Sequence, residues 1–292
     1  MIANSLPKRS SSAPFRLPEP SNYAKTPLLL RLQRNQFINT TVKHLRLHHL
    51  ADRILGLCPI RKQTQGGFSY QLRSIASIVA AKEMFETDMY RKPLRNEPVR
   101  RFVDLGCNVG FFPILLAEIT RSRELEGIMI DGNRTVLKEA QEHATTNGLH
   151  RIEGILGLAG FSATREHAEF LINPSSHIAS TATGRMNPSV PSAGRSVKVT
   201  VPCINVEEAW KTRFGDTPID LLKVDIEGME LELFRNAHDL ILRTSRLIFE
   251  WHKWQVSFAD CSDVLTSAGF EEPTPVWEDA QHGMAFCRRR AA

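Results

Sequence analysis

The chain has 292 residues, 42% apolar and 24% charged, which is enough for a sizeable buried core and excludes a disordered protein. Five cysteines without a C-x-x-C pair exclude a disulfide framework or a thiolate zinc site and fit reduced thiols. The net charge of +5 hides an asymmetry: residues 1–100 carry 17 Lys/Arg against 6 Asp/Glu (+11), and residues 101–292 carry 20 against 26 (−6).

No uncharged apolar run approaches the roughly 18 residues of a membrane span, and no cleavable signal opens the chain, so the expectation is a cytoplasmic protein without a membrane span. Residues 1–26, rich in Pro, Ser and Lys/Arg, read as a disordered basic tail; the acid-free first 18 also have the look of an organelle transit peptide. Residues 27–82 read as a helical extension, because Phe37, Ile38, Val42, Leu45, Leu50 and Ile54, and then Leu72, Ile75, Ile78 and Val79, recur near the helical period. The cations of this half are scattered and not interleaved with aromatics, so a solvated face is expected rather than a nucleic-acid site.

From Arg101 the texture alternates. "RRFVDL" reads as a strand, "GFFPILLAEITRS" as a helix, "EGIMID" as a strand, "RTVLKEAQEHATTNGL" as a helix closed by Asn147-Gly148, and "RIEGIL" as a strand. This βαβαβ order predicts a doubly wound, mainly parallel sheet. Residues 162–196, dense in Ser, Thr, Pro and Gly, read as a loop, an irregular hairpin or a lid. Then "VKVTVPCI" and "IDLLKVDI" read as strands, "GMELELFRNAHDLIL" as a helix, "SRLIFEWH" as a strand, "FADCSDVLTSAGF" as a helix ending at Gly269, and "HGMAFCRR" as a closing edge strand.

The turn after the first of these strands, Gly106-Cys107-Asn108-Val109-Gly110, lies where a parallel sheet presents backbone N–H groups and a positive helix end to a ligand. It departs from G-x-G-x-x-G, since Asn108 stands at the second glycine position, and a pyrophosphate ligand is disfavoured. Asp104, just before the turn, repels phosphate and suits a cation such as the ammonium or sulfonium of S-adenosylmethionine. Asp131, 27 residues later at the next strand end, can take both ribose hydroxyls. Both acids have structural uses as well, Asp104 as a helix cap and Asp131 in an Asx-turn.

A second constellation, "DLLKVDIEGMELELF", ends its strand at Asp225 and follows it with Glu227, Gly228 and Glu230; "LIFEWH" delivers Glu250 and His252 to the same edge. Together "FVDLGCNVGFF", "LLKVDIEGMELELF" and "LIFEWH", with "MFETDMY" upstream, resemble the FkbM family of S-adenosylmethionine-dependent methyltransferases over about residues 83–288. The resemblance implies a methyltransferase domain at 83–292 with a Rossmann-like fold, a seven-stranded sheet whose last strand is antiparallel, and methyl transfer usually to a hydroxyl. It places the methionine end of the cofactor around Asp104, Gly106, Asn108 and Gly110, the ribose at Asp131, and the substrate near Asp225, Glu227, Glu250 and His252. Two positions depart from the family: Ile204-Asn205 stands where Leu-Asp is common, and Asp131-Gly132 where Glu-Pro is common.

Methyl transfer needs alignment and a proton acceptor, for which His252 is the preferred candidate, with Asp225 orienting it or accepting the proton and Glu250 on the same strand face. His252 is equally well read as a structural histidine, and Glu227 as a helix cap. A divalent cation among Asp225, Glu227, Glu250 and His252 is chemically possible, although strand-end acids also cluster without metals. Trp210, Trp251, Trp254 and Trp277 are candidates for stacking on an acceptor or for core packing. The expected acceptor is a sugar, glycan precursor or polyketide-like small molecule. The competing readings are a nucleic-acid methyltransferase recruited by the basic half, and a non-catalytic cofactor-binding scaffold; a nicotinamide oxidoreductase is disfavoured by the glycine pattern.

Overall fold

The computed structural model describes residues 47–162, 164–172 and 196–291, so the expected tail 1–26, the first part of the extension and the centre of the 162–196 loop lie outside the described residues. The chain divides into Met1–His48 and His49–Ala292, and the second unit carries every described strand. After helix α1 (Leu47–Leu57), strands β1 (Ile60–Gln63) and β2 (Ser69–Leu72) form an antiparallel ribbon, followed by α2 (Ile75–Glu86) and α3 (Arg91–Leu94). The helical reading of 27–82 therefore does not hold between Ile60 and Leu72. Gly67, at φ +79°, turns the ribbon, and Ser74 starts α2 with a capping box, its side chain accepting from the Ser77 N–H.

The main sheet has seven strands in the order β5 (Ile152–Leu156), β4 (Glu126–Asp131), β3 (Arg101–Leu105), β8 (Leu221–Val224), β9 (Arg246–His252), β11 (His282–Arg288), β10 (Thr274–Glu278). Every pairing is parallel except the two made by β11. The crossovers include α4 (Phe111–Thr120) between β3 and β4, and α5 (Arg134–Thr146) between β4 and β5. The segment from β5 to β8 contains β6 (His167–Ile172), β7 (Val197–Pro202) and α6 (Val206–Phe214); β8 leads to α7 (Glu230–Asn236) and α8 (His238–Arg243), and α9 (Phe258–Ser267) follows β9. This is the doubly wound α/β architecture that the sequence predicts, with the one antiparallel strand that the family resemblance implies, and it differs in three of its parts.

"VKVTVPCI" forms β7, but β7 pairs only with β6 in a separate hairpin. Only Val201 along it is buried, whereas a central parallel strand needs an apolar run buried on both faces. Its place among the seven is taken by β10, whose Pro275 sits at a register shift on the sheet edge, where proline is tolerated. "HGMAFCRR" forms β11, which lies between β9 and β10 rather than at the edge. The helix read in "GMELELFRNAHDLIL" breaks at Ala237 into α7 and α8.

The centre is held by apolar burial. Leu221, Leu222 and Val224 of β8 and Phe102, Val103 and Leu105 of β3 are buried, each side chain contributing about 1.5–3 kcal/mol. Trp210 and Trp251 belong to this core: Trp210 is fully buried, with Nε1–H donating to the Thr217 carbonyl at 2.9 Å, and Trp251 lies against Phe258 with ring centroids 4.6 Å apart. Trp254 and Trp277 remain partly exposed near the carboxyl edge of the sheet.

Candidate active site

The glycine turn after β3 is built mainly by backbone. Gly106 and Cys107 both donate their N–H to the Ile130 carbonyl, at 2.9 and 3.1 Å, tying the end of β3 to the end of β4. Gly106 adopts φ +72°, and a Cβ there would lie 1.7 Å from the Asp225 carbonyl oxygen. Gly110 adopts φ +75°, and its Cβ would lie 2.7 Å from that of Ala140 on α5. The two glycines thus permit close contacts between strand ends and between helices, besides any approach of a ligand. Asn108 also has a positive φ, +49°, and its N–H donates to Asp131 Oδ2 at 2.9 Å, while the Asn133 N–H donates to Asp131 Oδ1 at 2.8 Å. Burial raises the Asp131 carboxyl to about 6 against the lowering effect of these two N–H groups.

Asp104 is fully buried, with one carboxylate oxygen 3.1 Å from the Lys223 ammonium. Lys223, itself buried on β8, donates to the Gly106 carbonyl at 2.8 Å and lies 3.5 Å from Asp225. The cation opposite Asp104 is therefore supplied by the protein. Burial opposes the lysine's charge, but Asp104 and Asp225 outweigh it and hold the ammonium well above its usual range.

The second half of the edge is a cluster of charged side chains. His252 is buried, with Nδ1 2.8 Å from Glu230 Oε1 and Nε2 3.5 Å from Glu227 and 3.9 Å from Asp225. Burial alone would discharge it; the carboxylate of Glu230, with Glu227 and Glu250, instead raises the imidazole well above its usual 6.5. Glu230 is fully buried and also accepts the Gly228 N–H at 3.1 Å. Burial, and then Asp225, drive the Glu250 carboxyl well above its ordinary value. Glu227 is pushed up to about 8 by burial, against His252 and with Asp225. Its backbone sits at φ +53°, unusual for a residue with a Cβ, and such strain concentrates at functional sites.

Because β11 is antiparallel, it begins where β9 ends: His282 pairs with His252. This brings in His282, 3.3 Å from Asp279 and 4.0 Å from Glu250, and with it Trp277, whose ring stacks on that of His282 at 6.2 Å. Trp254 closes the group, edge-on to His252 at 4.9 Å. Among the described residues, no group of three or more His, Cys, Asp or Glu side chains is placed to hold a metal ion.

The structure thus brings Asp225, Glu227, Glu250 and His252 together, and gathers Asp104, Gly106, Asn108, Gly110 and Asp131 around the neighbouring turn. Sequence reasoning missed Lys223, Asp279 and His282, and named Glu230 without giving it a role. For Lys223 a signal was present: a cation inside the apolar run "LLKV" of a central strand demands a buried counter-charge. The tie from Glu230 to His252 was hidden because Glu230 is a first-turn acid of a helix. Asp279 and His282 join the edge only through the reversed direction of β11.

Parallel strands in this order, a glycine turn after the first and an acid closing the second define a Rossmann-like α/β fold with a ligand crevice at its carboxyl edge. The sequence matches the family model described as the Methyltransferase FkbM domain over residues 81–272, and the chain belongs to that family, whose methyl donor is S-adenosylmethionine. Solved structures similar to it include TrmK of M. capricolum with S-adenosyl-homocysteine (13% identity, 71% of this chain and 70% of that one, TM-score 0.43). Another is a methyltransferase FkbM of Methylobacillus flagellatus KT (17% identity, 65% of this chain and 43% of that one, TM-score 0.43). A third is the Aeropyrum pernix fibrillarin with S-adenosyl-L-methionine (12% identity, 79% and 82%, TM-score 0.43). No protein of curated function matches the sequence. Among the described residues, no helix is long and apolar enough to cross a membrane.

Proposed function

We propose that this methyltransferase acts on a hydroxyl oxygen of a polyhydroxylated small molecule such as a sugar, a glycan precursor or a polyketide-like compound. The observation that carries this is the acceptor edge itself, where Asp225, Glu227 and Glu250 surround His252 and partly exposed Trp254 and Trp277 stand beside them. A carboxyl that burial pushes up to about 8, as at Glu227, both donates to and accepts from hydroxyls, and indole faces suit the C–H faces of a sugar ring. The net charge of −6 over residues 101–292 disfavours a phosphate-rich nucleic-acid acceptor despite the basic first 100 residues.

For the cofactor, the residues present fit an adenosyl group without phosphates. Asp131 keeps partial exposure and further lone pairs for ribose hydroxyls, and α4 starts at Gly110 without a side-chain cap, leaving its positive end for a carboxylate. S-adenosylmethionine supplies an electrophilic methyl on a sulfonium. Asp104 contributes through Lys223 rather than by direct contact: their pair fixes the Gly106 carbonyl and the start of the turn.

His252 is bound to Glu230 and held charged, which favours a role as a fixed cation and leaves proton acceptance to Asp225, between Lys223 and His252. With the methyl donor bound, Asp225 would take the proton of the acceptor hydroxyl as that oxygen is methylated, its carboxylate flanked by Lys223 and His252. Glu227 and Glu250 hold neighbouring hydroxyls.

The test is titration of the protein with S-adenosylhomocysteine, followed by a screen for donor turnover with sugars, hydroxylated polyketides, amines and RNA. Binding that Asp131→Ala weakens about tenfold or more, with turnover only on hydroxyl acceptors, is expected. Turnover confined to amines or RNA overturns the hydroxyl reading, and binding with no turnover on any acceptor leads to the scaffold reading.

A further inference from the structure

The ribbon β1–β2 precedes residue 81, where the FkbM match begins, yet it is built onto the back of the cofactor turn. Its strand β2 faces α5. The Ser69 N–H donates to Asn147 Oδ1 at 2.7 Å, Asn147 Nδ2 donates to the Ser69 carbonyl at 2.7 Å, and the Gln71 N–H donates to His143 Nε2 at 2.9 Å. A backbone N–H can only donate, so Nε2 is the acceptor and the imidazole proton sits on Nδ1. From there it donates to the Val109 carbonyl at 2.7 Å, in the middle of the turn. One neutral tautomer of a buried histidine thus joins the ribbon to the Gly106–Gly110 loop; burial, against the pull of Val109, holds His143 below its usual 6.5 and keeps it neutral.

Aromatic packing follows the same path. Tyr70 on β2 stacks on Phe85 of α2 at 4.6 Å and meets Phe111 edge-on at 5.5 Å, and Phe111 lies 5.5 Å from the His143 ring. Phe111 is the first residue of α4, directly after Gly110. At the ribbon's tip the Gly66 N–H donates to Glu118 on α4 at 3.0 Å. The turn and the helix it opens are therefore gripped by a segment outside the matched region.

We propose that this ribbon is a clasp that sets the shape of the cofactor turn, and that His143 is the positioning residue transmitting it, so that adenosyl-ligand affinity depends on the ribbon's seat. The proposal rests on the turn being the cofactor site. Dislodging the ribbon frees the Val109 carbonyl and Phe111 to move, and with them the backbone that faces the ligand.

The experiment is calorimetric titration of the full chain with S-adenosylhomocysteine, beside thermal unfolding, for wild type, His143→Gln, His143→Leu, Asn147→Ala and Trp210→Phe. Gln keeps an acceptor and a donor; Leu keeps neither; Trp210→Phe is a destabilised control whose lost bond to Thr217 lies in the core. His143→Leu should weaken binding about tenfold and Asn147→Ala about threefold, His143→Gln should bind within about threefold of wild type, and the control should bind normally despite a lowered Tm. Wild-type affinity in both His143→Leu and Asn147→Ala, or equal weakening in Trp210→Phe, overturns the clasp. If His143→Leu does not fold, Asn147→Ala decides alone: weakened binding supports the proposal and wild-type binding ends it. A wild type that binds no adenosyl ligand removes the cofactor reading itself, and the clasp with it.

Discussion

Between Gly106 and Asp131 backbone N–H groups meet carbonyls and a single carboxylate, with the side chains of Lys223 and His143 bonding the Gly106 and Val109 carbonyls from outside the turn; between Asp225 and His252, on the same sheet edge, side chain meets side chain. The difference tracks what each half has to bind. Under the proposed function, a fixed adenosyl ligand would be served by a loop shaped by two glycines and one αL asparagine, and an acceptor hydroxyl that gives up a proton by ionisable groups whose charges are balanced against one another. Lys223 touches both halves and is the residue through which one feels the other.

The largest expected effect lies in the backbone-built half. Gly106→Ala drives a methyl group into the Asp225 carbonyl and demands a left-handed conformation, so it should cost more than about 4 kcal/mol in denaturant unfolding or abolish folding. A soluble variant within about 1 kcal/mol of wild type would show that the two halves are not locked together at this point. Next comes Lys223→Met, which strands the Asp104 carboxylate in the core and should cost about 3–5 kcal/mol, with Asp104→Asn added to it restoring much of the loss. If the double variant is no more stable than the single one, the pair is not the link.

Asp225→Asn separates the halves functionally. Adenosyl-ligand affinity should stay within about threefold of wild type, while turnover on the identified acceptor falls about 10²-fold or more. Parallel loss of both would place Asp225 in the cofactor site instead.

The same contrast explains what the sequence made legible. Strand–turn–helix order, the Asn147-Gly148 stop and the strand-end residues Asp104, Asp131, Asp225, Glu250 and His252 are local, written in periodicity and in the residue that ends each apolar run. What stayed hidden depends on which strand lies beside which. The Lys223–Asp104 pair needs β8 next to β3. Asp279 and His282 need β11 to run backwards, and β10 was masked by Pro273 and Pro275. The role proposed for His252 turns on Glu230, a partner 22 residues away that the sequence places in the constellation without assigning it a part.

The smallest effect is the sharpest test of the charged half. Glu227 holds its proton to about pH 8 in the native state but releases it near 4.5 when unfolded, because burial and then Asp225 disfavour the ionised form while His252 only partly offsets them. Between those values the unfolded chain binds fewer protons than the native one, so stability falls as pH rises through that window. Glu227→Gln fixes the side chain in its neutral shape. Both residues carry a Cβ, so the cost of φ +53° cancels between them. The variant should therefore match wild type near pH 4.5 and exceed it by about 1–3 kcal/mol above pH 8, measured by urea unfolding across that range. A constant difference at every pH would show that Glu227 ionises freely in the native state, and the acceptor edge would then be a solvated acidic face instead of a balanced cluster.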